Sequence, residues 1–114
     1  MALTIRSPQL RALGLPAAQS LIPKLCEHVR KQHTGRTPAS ETVESFVERA
    51  VDAAADYNLF SERDLARFVD MAMLRGLPLP ANLDKILRSR QPAAPNDRLL
   101  RAWRRLLFEL EAEA

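Results

Sequence analysis

The stretch VESFVERAVDAAADY, residues 43–57, carries the clearest structural pattern in the chain. Its apolar residues recur three and four positions apart, which places them on one face of an α-helix. The charged residues between them, such as Glu48 and Asp52, point away from that face. A helix of this kind buries its apolar face against other elements of the chain. The members of the face are Val43, Phe46, Val47, Ala50, Val51, Ala54 and Tyr57.

The segments before this stretch contain caps and prolines that predict helix boundaries. Ser7-Pro8 predicts a short first helical turn that ends at Gly14. A second apolar stripe runs from about residue 17 to residue 32, and Pro23 predicts a kink or a restart within it. Thr37-Pro38 then opens the helix that contains residues 43–57, with Ser40 as a competing cap.

The segment after this stretch predicts a central helix. Asn58 permits a tight turn, and Ser61 with Asp64 three residues later has the spacing of a capping box. We therefore expect a helix that begins at Glu62 and finishes before Gly76. More than half of its residues are apolar, and they leave a polar strip of Arg63, Arg67 and Asp70, so we expect it to be the most buried helix of the chain.

The C-terminal third alternates proline-rich links with helices. Residues 77–80 (LPLP) form a stiff connector, a short helix follows, and residues 91–95 form a second proline-rich link. Asn96 is the expected cap of the last helix. The apolar face of that helix consists of Leu99, Leu100, Trp103, Leu106, Leu107 and Leu110.

These patterns predict an all-α fold, a small bundle of about five or six helices with proline-rich connectors. Ala and Leu are far more frequent than the β-branched Val and Ile, which favours helix over strand. A length of 114 residues fits a single domain over residues 1–114, with a core from about 16 to 110. No apolar run is long enough to cross a membrane, and the N-terminus lacks a secretory signal, so we expect a cytoplasmic protein.

Charge is sorted along the chain. Residues 1–36 hold six basic residues and one acidic one, whereas residues 37–70 hold three basic and eight acidic ones. The remaining residues return to a basic excess. This alternation favours separate basic and acidic surfaces that bind a protein partner. It is less typical of a single continuous basic surface that binds nucleic acid.

The residues that could carry chemistry are few and badly spaced. His28 and His33 are five positions apart and do not share a helix face, so a metal site would need carboxylates supplied by the fold. We therefore expect packing roles for both, and no metal or cofactor. Cys26 lies on an apolar stripe and is interpreted as a small buried hydrophobe. Acid pairs such as Asp64 and Asp70 resemble a solvated face, so the sequence predicts no enzyme.

The last helix provides the candidate partner-binding residues. At 100° per residue, Phe108 lies opposite the apolar face and among arginines, which is typical of an interface hot spot. The same arginines could instead bind phosphates, or could lie with their stems along a second buried face. The candidate residues are Arg98, Arg101, Arg104, Arg105 and Phe108.

Several stretches also resemble a known group of proteins. Residues 53–69 (AAADYNLFSERDLARFV) join an acidic helix ending in tyrosine to a Ser-Glu cap and an apolar helix, which ends at residues 74–78 (LRGLP). Together with Leu3-Thr4, Gln9-Leu10 and the helix end at residues 28–31 (HVRK), they resemble small all-helical accessory proteins of bacterial type VI secretion effectors. The resemblance covers about residues 3–110.

This resemblance implies a non-enzymatic protein that binds an effector or a secretion component, either as an adaptor or chaperone or as an immunity-type inhibitor of a toxin. Two alternatives remain open at this point. One is a small nucleic-acid-binding regulator that uses the arginines of the last helix. The other is a self-associating scaffold in which the last helix pairs between chains.

Overall fold

The computed structural model describes residues 14–34, 41–91 and 94–113. These residues form α-helices and the loops between them, and no β-strand is found among them. The all-α prediction is confirmed, because a helical segment at residues 14–19 precedes five helices. These are α1 (Ile22–Gln32), α2 (Val43–Asp56), α3 (Glu62–Arg75), α4 (Ala81–Arg88) and α5 (Pro95–Glu113).

Pro23 lies in the first turn of α1, as the predicted restart requires. Residues 14–19 are helical, Ser20 and Leu21 form a turn, and α1 then begins at Ile22. Proline is tolerated in a first turn because its missing N–H would have no partner within the helix.

Gly14 does not end a helix, so that prediction is wrong. It lies inside the helical segment 14–19, while residues 7–13 of the predicted turn lie outside the described residues. A Cβ atom built on Gly14 would stand 2.5 Å from Cγ of Phe60. The glycine is therefore explained by close approach to the Phe60 ring and not by a helix terminus.

The cap of α2 is Thr42. Its Oγ1 accepts a hydrogen bond of 3.1 Å from the N–H of Ser45, and the helix begins at Val43. The expected opening at Thr37-Pro38 and the competing cap Ser40 both lie outside the described residues. Threonine with extended backbone at this position satisfies an N–H that the first helical turn leaves unpaired.

The prediction that Asn96 caps the last helix is wrong. α5 begins at Pro95, so Asn96 is its second residue and not its cap. The carbonyl of Ala94 accepts hydrogen bonds of 3.1 and 3.2 Å from the N–H groups of Asp97 and Arg98. Proline at the first helical position has the right backbone angle and needs no hydrogen-bond acceptor, which explains the earlier start.

The boundaries of α3 agree with the predicted capping box. The Oγ of Ser61 accepts a hydrogen bond of 3.2 Å from the N–H of Asp64. Gly76 follows the helix with a φ of 86°, and Asn58 has a φ of 61° in the preceding turn. Both angles lie in the region that glycine and asparagine adopt most readily.

α3 is the central helix of the bundle. It packs against α1, α2 and α5, and α4 packs against α5. Its Leu65, Phe68 and Met71 are completely buried. One hydrophobic cluster extends from Ala18 to Leu106 and so joins every helix into a single core. None of the described helices combines the length and the hydrophobicity that a bilayer crossing requires.

Candidate functional site

The outward face of α5 exposes two large hydrophobic side chains. Phe108 is 63% exposed and Leu107 is 45% exposed, while Leu99, Ala102 and Leu106 on the other side of the helix are buried in the core. The predicted exposure of Phe108 is confirmed. The placement of Leu107 on the buried face is wrong, because it lies about 100° around the helix from Leu106 and beyond the reach of the core.

The four arginines of α5 have different surroundings. The Nε of Arg98 donates a hydrogen bond of 3.0 Å to the carbonyl of Leu87 at the end of α4. This contact is partly buried, and it pairs a cation with the negative end of a helix dipole. Arg98 therefore connects α5 to α4, and of the five predicted partner-binding residues it is the one that lies away from the outward face.

The other three arginines are exposed. Arg101 donates through Nη1 to the carbonyl of Gln91 over a long 3.4 Å. Arg105 donates through Nε to Oε1 of Glu109 at 3.2 Å, and its guanidinium carbon lies 5.9 Å from the centre of the Phe108 ring. We call Arg101, Arg104, Leu107 and Phe108, with Arg105 at their edge, the α5 outward face.

A second cluster, at Tyr57, Asp84 and Arg88, links the end of α2 to α4. The hydroxyl of Tyr57 donates a hydrogen bond to Oδ1 of Asp84, and the Nε of Arg88 donates to the same oxygen at 2.8 Å. The Arg88 guanidinium also lies 4.9 Å from the centre of the Tyr57 ring. The three side chains line a cleft of about 420 Å³, and Phe68 is also part of its lining.

Burial and hydrogen bonding shift the pKa of each member of this cluster. Burial, followed by the Asp84 carboxylate, raises the pKa of Tyr57 to about 12. The hydrogen bond from Tyr57, with further help from Arg88, lowers the pKa of Asp84. The cluster therefore holds a neutral phenol and an ionised carboxylate over a wide pH range, a stabilising arrangement that offers no group ready to transfer a proton near neutrality.

The structure brings together two histidines that the sequence separates. The Nε2 atoms of His28 and His33 lie 2.7 and 2.8 Å from the same oxygen, Oδ1 of Asp70. The ring centroids are 6.3 Å apart. Their spacing in the sequence predicted packing roles and left a carboxylate supplied by the fold as the missing part of a site, and α3 supplies such a carboxylate in Asp70.

Two physical effects explain why helical spacing missed this cluster. His33 is the C-cap of α1 and has non-helical backbone angles, so the 100° rule no longer applies to it. Asp70 lies on the facing helix α3, and its side chain reaches both rings. The signal in the sequence that could have indicated this was the position of His33 two residues before Gly35, where a helix is expected to end.

Cys26 is buried, as its position on the apolar stripe predicts. Burial raises the pKa of its thiol, and the charge of Glu48 acts in the same direction while that of Arg30 opposes it. A buried thiol with a raised pKa is a poor nucleophile.

Comparisons with known proteins add no assignment to this geometry. No protein-family model, no curated protein and no solved structure matches the chain.

Proposed function

We propose that this protein is a non-enzymatic protein-binding module whose α5 outward face binds an acidic, amphipathic helix of its partner. The partner we propose is a secreted bacterial effector or a component of its secretion machinery, with the module acting as an adaptor or chaperone. An immunity-type inhibitor of a toxin would use the same surface.

The observation that carries this proposal is the exposure of Phe108 beside Leu107. An aromatic ring that is 63% exposed gains free energy when a partner covers it, because apolar surface is removed from water. Aromatic and arginine side chains are also the residue types most enriched among interface hot spots. Single exposed hydrophobic residues are ordinary, but two adjacent ones flanked by cations favour an interaction surface.

The charges around Phe108 indicate the chemistry of the partner. Arg101 and Arg104 are exposed and lie on the same side of α5 as the phenylalanine ring. A partner helix with leucine-like residues on one face and carboxylates beside them would cover the ring and pair with the guanidinium groups. Such complementarity increases specificity and the association rate more than raw affinity.

The contacts made by the other two arginines of α5 favour a protein over a nucleic acid as the partner. Arg98 is bound to a carbonyl of α4, and Arg105 is paired with Glu109, so neither presents a fully free cation to a phosphate. The exposed Glu111 follows Phe108 by one helical turn and reduces the positive potential there. A nucleic-acid site needs several cations that neutralise phosphates together.

The resemblance of residues 53–69 and 74–78 to accessory proteins of type VI secretion effectors supports the cellular context of this proposal. The resemblance supports the kind of partner that we propose. The choice of binding surface rests on the exposed residues of α5.

Copurification from the native host tests the surface. Tagged wild-type protein, Phe108→Ala and Arg104→Glu are compared with Arg63→Glu, a matched reversal of an exposed arginine on α3. All samples are treated with nuclease. We expect wild type and Arg63→Glu to retain one stoichiometric protein, and Phe108→Ala and Arg104→Glu to lose it. Cross-linking should place the contact on an acidic amphipathic helix of that protein.

Three results would contradict the proposal. The first is equal retention of the protein by all four samples, which would place the contact elsewhere. The second is recovery of general chaperones alone. The third is nuclease-sensitive nucleic acid whose binding weakens steeply with salt and depends on Arg104, which would establish the regulator alternative. Mass spectrometry of a retained protein tests the context, because an effector or secretion component is expected.

A further inference from the structure

We propose that His28, His33 and Asp70 form a binding site for one divalent transition-metal ion, with Zn²⁺ as the best fit. The site lies between α1 and α3 and shares no residue with the α5 outward face. The proposed metal site is therefore independent of the proposed protein-binding function.

The ligand atoms already converge on a common point. One ring nitrogen from each of His28 and His33 and one carboxylate oxygen of Asp70 all lie within 4.8 Å of one another. Ligands at about 2.0–2.2 Å from a tetrahedral ion stand about 3.4 Å apart. The two nitrogen–oxygen distances of 2.7 and 2.8 Å would therefore lengthen by about 0.6–0.7 Å, which side-chain rotation can supply.

The donor set selects the class of ion. Two imidazole nitrogens and one carboxylate oxygen suit Zn²⁺ and neighbouring first-row metals, whereas Ca²⁺ and Mg²⁺ prefer oxygen ligands alone. Three protein ligands leave one tetrahedral position for water or another donor.

The exposure of the three side chains is also suitable. His28 is 30% exposed and Asp70 is 23% exposed, so an ion can enter from solvent, while His33 is only 8% exposed and anchors the inner side.

Metal titration of the full chain tests the site. Zn²⁺ binding is measured by calorimetry, and Co²⁺ is used as a spectroscopic probe of the ligands. We expect one ion per chain, a Co²⁺ spectrum without thiolate bands, and a rise in Tm with metal concentration. His28→Ala and Asp70→Asn should each weaken binding about tenfold or more. Both variants change partly exposed side chains, and circular dichroism verifies that they fold.

Two control variants exclude other ligands. Cys26→Ala removes the single thiol, and Asp64→Asn removes a carboxylate from the same helix as Asp70. Both should bind Zn²⁺ as wild type does. The ring nitrogens provide a second readout, because metal on Nε2 places the proton on Nδ1 of both histidines, which ¹⁵N NMR detects. These are the only histidines in the chain.

Either of two outcomes would overturn the proposal. One is Zn²⁺ binding by wild type that is no tighter than binding by His28→Ala or Asp70→Asn. The other is a loss of binding in Cys26→Ala, which would assign the ion to the thiol. If one variant fails to fold, the other variant and the NMR tautomers decide.

Discussion

Replacing Tyr57 with phenylalanine tests the cluster that joins the end of α2 to α4. The wild-type hydroxyl is largely buried and donates to Asp84, and these contacts raise the tyrosine pKa from its usual 10.0 to about 12. A raised pKa means that the folded state disfavours the ionised phenol. The unfolded chain therefore loses this proton from pH 10 upward, while the folded chain keeps it until about pH 12.

The sign and size of the effect follow from this difference. Below pH 10 the full contribution of the neutral phenol to folding is present, and it is lost as the pH rises from 10 to about 12. A difference of two pH units corresponds to roughly 3 kcal/mol. At neutral pH, Tyr57→Phe removes one hydrogen bond to a carboxylate and should destabilise the fold by about 1.5–3 kcal/mol. Arg88 continues to donate to Asp84, which limits the loss.

We therefore expect the free energies of unfolding of wild type and Tyr57→Phe, plotted against pH, to converge at alkaline pH. The free energy of unfolding of wild type falls between pH 10 and pH 12 relative to that of Tyr57→Phe, so their difference shrinks toward zero. Urea unfolding, followed by the fluorescence of the single Trp103, provides the free energies. Because Tyr57 is the single tyrosine, the absorbance of tyrosinate also reports its pKa directly in the native and the urea-unfolded chain.

A native titration with a midpoint near 10, equal to that of the unfolded chain, would refute this reasoning. So would a difference between wild type and Tyr57→Phe that stays constant across the alkaline range. Either result would show that the Tyr57 hydroxyl is solvated and does not donate to Asp84.

Three further predictions concern the fold. Phe68→Ala empties the centre of the core and should lower the free energy of unfolding by about 3–5 kcal/mol, as thermal melts would show, and a loss below about 1 kcal/mol would contradict complete burial. Ser61→Ala removes the cap of α3 and should cost about 0.5–2 kcal/mol in urea unfolding, whereas no change would mean that Ser61 is not the cap. Cys26 should react slowly with a thiol reagent in the native state and quickly after unfolding, and equal rates would show that it is accessible.

Local rules predicted most of the fold. The stripe of α2, the capping box at Ser61 and the glycine after α3 each depend on interactions within a few residues, so the sequence contains the whole cause. The errors arise where contacts with distant parts of the chain decide the outcome. Gly14 looked like a terminator because its sequence neighbours do not show that it lies against the ring of Phe60, which is far along the chain.

The candidate sites also differ in whether local sequence or contacts between helices determine them. The exposure of Phe108 follows from helical geometry on one helix, and it was predictable. The meeting of His28 and His33 on Asp70 depends on the packing of α1 against α3, and no spacing within α1 encodes it. Arg98 was grouped with its neighbours on α5 because the carbonyl that it binds belongs to α4 and is invisible to a rule based on periodicity.

The affinity of the purified partner for wild type and for Phe108→Ala tests the central claim most directly. If the α5 outward face is the binding surface, calorimetry should show a loss of about 30-fold or more, the size expected for a hot-spot residue. An affinity for Phe108→Ala equal to that of wild type, with the protein correctly folded, would contradict the claim.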